Sequence, residues 1–322
     1  MTAVPTAPAR DEALRMLGRY VSGEGIEIGP GHQPFPLPYA GATARYVDRW
    51  KPDENQALFP ELHGGAVFPV PDIISDLNID GLSMLADASE DFVIASHVLE
   101  HLVDPIGQLS EIHRVLRPGG VALILLPDRR RTFDRARQAT TLDHLLADRA
   151  AGMQVPDDAH IEEFLIYTEG WNNERDAWKR VETFESHRQR SFHVHCWTQE
   201  EFLPVIRYAI TELKMSWELI DVMFVDDVVD SIEYGFVLRR ALRSDADPEL
   251  LGQRLEDVWE ACLDSRRRHA ERVRAAQHPT ARDRLNSSRA AARRFLRPVK
   301  RIGRAVVARG QPSETPRRGA PA

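Results

Sequence analysis

The chain has 322 residues, a formal charge of −7, 43% hydrophobic and 28% charged residues, and only two cysteines, Cys196 and Cys262. That apolar fraction excludes a wholly disordered chain, and two cysteines exclude a disulfide framework or a cysteine-rich metal site. No apolar run approaches the ~20 residues of a membrane span, and MTAVPTAPARDE at the start lacks the basic and apolar regions of a secretory signal, so a cytoplasmic setting is expected.

Charge is distributed unevenly. Residues 279–322 carry twelve Lys/Arg against two acids, a net +10, which leaves −17 on the first 278 residues. A body this acidic is unsuited to gripping nucleic-acid phosphates, so no nucleic-acid partner is expected. The basic tail suits an anionic surface. Within it, Phe295, Leu296, Val299, Ile302, Val306 and Val307 alternate with Arg and Lys, the pattern of a helix lying on an anionic membrane. A solvated tail and a helix packed on a partner subunit are the alternatives.

In chain order, residues 8–21 read as an amphipathic helix with Leu14, Leu17 and Val21 on one face. An apolar strand then runs through 25–28 into a glycine turn, GIEIGPG, followed by short strands at 44–48 and about 72–75. A fourth strand, 91–95, leads to a helix at 109–116 that Arg117-Pro118-Gly119-Gly120 stops. The fifth strand, 121–126, has the unbroken apolar composition of a strand buried on both faces. Strand–helix alternation of this kind predicts an α/β fold with a parallel sheet.

Residues 129–190 are polar, aromatic and helix-prone, and read as an insertion or lid. A helix at 198–213 carries Thr198 at its start and Glu201 three residues on, a capping box. Two strands, 217–224 and 232–238, pair through a short polar link as an antiparallel hairpin, and a long charged helix follows from 248 to about 277. The expected organisation is an N-terminal helix in 1–22, a central domain formed by 23–128 and 191–240, an acceptor-binding insertion at 129–190, a charged helix within 246–278 and a basic tail at 279–322.

Several residues carry chemistry. Gly29 and Gly31 in the first turn let the backbone approach a ligand without a Cβ clash. The dinucleotide fingerprint is broken, because position 34 is proline, and Pro34, Pro36 and Pro38 prevent a long helix directly after the turn. Asp48 closes the second strand, where a carboxylate can accept two ribose hydroxyls or serve as an ordinary strand-end acid. Asp76 closes the third, where it can accept from an exocyclic amine while Leu77 packs on the base, or cap a solvated turn. His97-Val98-Leu99-Glu100-His101 matches a zinc-peptidase signature, but it directly follows an apolar strand instead of lying within a long helix.

The order GIEIGPG, YVD, SDL, DFVIASHVLEHLVDP and EIHRVLRPGGVALILLPD resembles the class I S-adenosylmethionine-dependent methyltransferases. The resemblance covers about residues 23–128, and the hairpin at 217–238 fits the family's antiparallel last strand. It implies a Rossmann-like parallel sheet with that last strand antiparallel, a helical insertion and a helical C-terminal extension. It also implies S-adenosylmethionine as cofactor and S-adenosylhomocysteine as product. Glu27, Gly29 and Gly31 take the positions around the methionine moiety, Asp48 the ribose acid, and Asp76 and Leu77 the adenine positions. Ser96 and His97 stand at the end of the fourth strand beside the sulfonium. Gln33 replaces the third small residue of the family's glycine pattern. Glu100 and His101 take a structural place in the loop.

The acceptor is less legible. Arg129, Arg130 and Arg131 form a basic run where an anionic acceptor can dock, or a solvated surface. His193 and His195 flank one residue and point to the same side of an extended segment, where with an acid they can hold a divalent metal or serve as a base. Asp128, His144, His193 and His195 are the candidate bases for deprotonating a hydroxyl. Trp171, Trp178 and Trp197 can stack on a sugar, although core packing is the commoner role for each. PDRRRTFD, TTLDHLLAD and HVHCWT resemble methyltransferases of bacterial polysaccharide and glycolipid clusters, which implies O-methylation of a saccharide, glycolipid or nucleotide sugar in polysaccharide biosynthesis. A polyketide- or quinone-modifying methyltransferase and a non-catalytic cofactor-binding regulator are the alternatives. A small-molecule partner, a homo-oligomer and a place against the inner membrane face are compatible with these readings.

Overall fold

The computed structural model describes residues 8–37, 41–60, 67–243 and 245–277. Residues 5–263 form one compact unit; the other comprises residues 1–4 and 264–322, of which 264–277 are described. The basic tail and its amphipathic pattern lie outside the described residues.

Seven strands form one sheet: β1 (Gly23–Ile28), β2 (Ala42–Asp48), β3 (Ile73–Ile74), β4 (Glu90–Ser96), β5 (Leu116–Pro127), β6 (Trp217–Met223) and β7 (Glu233–Arg240), in the order β3-β2-β1-β4-β5-β7-β6. The pairs joining β1 to β5 are parallel, whereas β7 runs antiparallel to both β5 and β6. This is the predicted α/β arrangement, including its antiparallel last strand. Successive residues of the central strands alternate between two apolar clusters on opposite faces. Val93, Ala95, Ala122 and Ile124 join one; Phe92, Ile94, Leu123 and Leu125 join the other. Burial on both faces explains the unbroken apolar run of β5.

Helix α1 (Arg10–Gly18) buries Ala13, Leu14 and Leu17 on the second cluster. Helix α2 is Pro52–Leu58. Helix α3 (Pro105–Val115) starts four residues earlier than its apolar pattern indicates, because Asp104 caps it by accepting from the Gly107 N–H and Pro105 supplies a preset first turn. β5 likewise pairs from Leu116, ahead of its apolar run.

Residues 129–190 contain α4 (Leu142–Ala151), α5 (Asp158–Thr168) and α6 (Arg180–Gln189), and their Ile161, Phe164, Leu165, Trp171 and Phe184 form a small apolar cluster with Val103, Phe192 and Val194. Helix α7 (Gln199–Thr211) carries the expected Thr198–Glu201 capping box. The last helix, α8 (Pro248–Gln277), buries Leu251, Leu255 and Trp259 on the main core. No described helix is long and apolar enough to cross a membrane.

Candidate functional site

Because β1 to β4 run in the same direction, their carboxyl ends gather along one edge of the sheet. A cavity of about 300 Å³ opens there. β1 delivers Gly29 and Gly31, both left-handed at φ +59° and +54°. A Cβ on Gly29 would stand 2.9 Å from Val98 Cγ2, so the tight turn excludes a larger residue. No helix follows this turn in residues 30–37, as its prolines require. β2 delivers Asp48, Arg49 and Trp50, and the segment after β3 delivers Asp76, Leu77 and Asn78. Six of the eight expected cofactor residues, Gly29, Gly31, Asp48, Asp76, Leu77 and His97, line this one cavity.

The other two stand beside it. Ser96 ends β4 and is half-buried. Glu27 is buried in β1; its Oε1 accepts from the Phe35 N–H at 2.7 Å while Oε2 has no partner among the described residues. Burial pushes the Glu27 carboxyl up to about 7, against the opposing pull of the Phe35 N–H.

Asp48 Oδ1 accepts from the Trp50 N–H at 3.2 Å, and burial raises its carboxyl pKa against the hydrogen bonds from Trp50, Arg49 and Asn55. Asp76 forms an ion pair with Arg49 at 2.9 Å and accepts from the Asn78 N–H.

His97 is held at a left-handed φ of +55°, unusual for a side chain with a Cβ. Its Nε2 lies 2.8 Å from Glu233 Oε2, and its Nδ1 lies 3.5 Å from Glu100 Oε1. Both carboxylates are fully buried. Burial alone would discharge His97, but the two carboxylates push its pKa up to about 10. Arg10 closes the far side of Glu233, with Nε at 2.6 Å and Nη2 at 3.2 Å. The resulting chain Arg10–Glu233–His97–Glu100 ties α1 and β7 to the cavity floor. Glu233 carried no signal in the sequence.

The two histidines of the zinc-peptidase pattern do not come together as ligands; Glu100 and His101 group instead with His193, within 4.8 Å of one another. Leu99–His101 is a single short turn, and His101 Nδ1 turns away to the Phe192 carbonyl at 2.8 Å. Burial lowers the His101 pKa to about 4, so its imidazole is neutral.

The remaining wall comes from the end of the insertion: His187, Arg188 and Arg190, then Ser191, Phe192 and Val194. His32, Phe59, Phe68 and Pro156 add to it. Neither α1 nor β5 contributes to the lining. The four candidate bases lie elsewhere. Asp128 is fully buried and chelated by Arg130, with Nη2 at 2.5 Å from Oδ2. His193 Nδ1 meets Asp134 Oδ2 at 2.6 Å. His144 and His195 meet in a different cluster with Asp148 and His160. A bend at Val194 and His195 sends the two histidines of HVH to different neighbours instead of to one side.

The arginine run is also accounted for internally. Arg129 pairs with Glu201, Arg130 with Asp128, and Arg131 with Asp226, and none of the three lines the cavity. Trp197 and Trp171 are buried core residues and Trp178 is exposed.

Residues 28–124 match the family model of a methyltransferase domain. A protein of Mycobacteroides abscessus named "uncharacterized methyltransferase" is 32% identical over 114 residues, covering 35% of this chain and 41% of the relative. One of Mycolicibacterium smegmatis, named "probable S-adenosylmethionine-dependent methyltransferase", is 53% identical over 45 residues, covering 14% and 18%. The chain therefore spans less than half the length of these curated relatives. Among solved structures, the 1,6-didemethyltoxoflavin-N1-methyltransferase of Burkholderia thailandensis, with bound 1,6-didemethyltoxoflavin and S-adenosylhomocysteine, aligns at a TM-score of 0.38. It is 15% identical, over 72% of this chain and 76% of its own. A SAM-dependent methyltransferase of Methanosarcina mazei aligns at 0.37 with 15% identity, over 71% and 98%.

Proposed function

We propose that the protein is an S-adenosylmethionine-dependent methyltransferase that methylates a hydroxyl of a small saccharide-containing acceptor. The observation that carries the cofactor reading is the convergence of Gly29, Gly31, Asp48, Asp76 and Leu77 on one cavity within the segment that matches a methyltransferase domain. When bound, the cofactor supplies an electrophilic methyl on a sulfonium. The Asp48 carboxylate holds the ribose hydroxyls, Leu77 packs on the adenine, Asp76 receives its amine, and the glycine turn admits the methionine moiety beside Glu27. Ser96 stands behind the site at the end of β4.

His97 is not a base in this scheme. An imidazolium locked between two carboxylates has no lone pair to offer, and its place is to hold the cavity floor. His101 is the base. Its Nδ1–H donates to the Phe192 carbonyl, which leaves the Nε2 lone pair for the acceptor hydroxyl proton, and Glu100 Oε1 at 3.9 Å stabilises the imidazolium that forms. The polar wall of His187, Arg188, Arg190 and Ser191 beside Phe59 and Phe192 favours a polar acceptor with stackable faces over a quinone, whose pocket would be uniformly apolar.

Two measurements test this reading. Asp48→Ala is expected to weaken S-adenosylmethionine binding by at least about tenfold, or about 1.4 kcal/mol, in calorimetry. Unchanged affinity removes Asp48 from the site. For the acceptor, transfer of labelled methyl should be followed across nucleotide sugars, glycolipid headgroups and quinones. Turnover confined to the saccharides is expected, and turnover confined to the quinones overturns the acceptor assignment.

A further inference from the structure

Away from the cavity at the strand ends, three segments bring four metal-ligating side chains together. His144 and Asp148 lie one turn apart on the same face of α4. His160 stands in the first turn of α5, and His195 lies at the bend before α7. Asp148, His160 and His195 are buried, and His144 is half-exposed.

The distances are those of a coordination shell. His144 Nε2 and His160 Nε2 are 3.0 Å apart. Asp148 Oδ2 lies 3.1 Å from His144 Nε2, 3.2 Å from His160 Nε2 and 4.0 Å from His195 Nε2. One ligand atom from each of the four residues lies within 4.8 Å of every other. A tetrahedral zinc with bonds of about 2.0–2.1 Å separates neighbouring ligand atoms by roughly 3.3 Å.

Hydrogen bonding alone accounts poorly for the group. His160 Nδ1 donates to Asp157 Oδ1 at 2.8 Å, which leaves Nε2 as a lone pair facing the cluster. This outer carboxylate is the usual orienting partner of a metal-bound histidine. His195 has no exposed surface. Its Nδ1 has no partner among the described residues, and its Nε2 has only the Val103 carbonyl at 3.5 Å.

We propose that His144, Asp148, His160 and His195 form a divalent-metal site of three nitrogens and one oxygen, with zinc the ion its donor set and geometry fit. Four protein ligands complete the shell, so the ion is structural. It clasps α4 and α5 of the insertion to the segment that carries Ser191, Phe192 and Val194 into the cavity wall. The inference does not depend on the methyltransferase reading, since the site shares no ligand with the cavity at the strand ends.

The test uses the full chain without a histidine tag, stripped with chelator and titrated with zinc against a chromophoric competitor. A parallel titration with cobalt reports geometry through its visible absorption. One equivalent of zinc is expected per chain, with the intense visible bands of tetrahedral cobalt. His144→Ala changes a half-exposed side chain and retains the fold by circular dichroism, yet is expected to weaken zinc binding roughly tenfold or more. Asp148→Asn should do the same. His193→Ala, which alters the other histidine of HVH, should bind zinc as the parent does. Absence of stoichiometric zinc in the parent, zinc binding by His144→Ala equal to the parent, or loss of zinc in His193→Ala would each overturn the site.

Discussion

His101→Asn is expected to lower turnover by about 10²–10⁴-fold while leaving S-adenosylmethionine affinity near that of the parent. Asparagine places an N–H close to where the histidine Nδ1 donates to Phe192, so the loop keeps its 2.8 Å tether while the second nitrogen is lost. Burial lowers the His101 pKa to about 4, so the neutral base is in place above about pH 5. The deficit should therefore be constant from pH 5 to 8 in single-turnover measurements. A variant that keeps the parent rate points to a nitrogen or thiol acceptor, which needs less help from a base.

The second large effect concerns stability. Glu233 is fully buried between Arg10 and His97, and its carboxyl would be raised by burial but is held low by their hydrogen bonds. Glu233→Ala removes the acceptor for both. Arg10 is 41% exposed and can turn to water, so the cost falls mainly on His97. His97 loses its 2.8 Å partner but keeps Glu100 at 3.5 Å, so the expected cost is that of one charge-assisted hydrogen bond, about 2 kcal/mol.

The effect has a definite pH dependence. The His97 pKa rises from the ordinary 6.5 to about 10 in the folded chain. Its contribution is complete below about pH 6.5 and fades as pH rises through about 10. Urea unfolding of parent and variant should therefore differ most at pH 6 and converge toward pH 10. Equal stability at pH 6 would show that the pair contributes nothing net.

Much of the fold was legible because its signals are local. Buried parallel strands show as apolar runs, and glycine, proline and capping residues punctuate them. β1, β2, β4 and β5 and the closing β6–β7 hairpin all announced themselves in this way. Boundaries slipped where a cap outweighed the apolar pattern, as at Asp104-Pro105. Cofactor candidates were legible for a related reason: each sits at a strand end, and parallel strands place all their ends together.

What was not legible depends on distant pairing. Glu233 lies 136 residues from His97, and nothing near either residue marks the contact. The run Arg129–Arg131 looked available for an anion until its three carboxylate partners, two of them more than 70 residues away, came into place. The HVH pair looked like one site because period-two reasoning assumes an extended backbone, and a bend at Val194 and His195 breaks that period. Asp148 and His160 carry no local mark of the cluster they join, because each reads as an ordinary helix residue.

The most direct test of the central claim is a crystal structure of the full chain grown with S-adenosylhomocysteine. The account predicts the nucleoside in the cavity at the strand ends, with both ribose hydroxyls on the Asp48 carboxylate, the adenine against Leu77 and the homocysteine over Gly29 and Gly31. A nucleoside seated elsewhere, or an empty cavity at saturating S-adenosylhomocysteine, would contradict it.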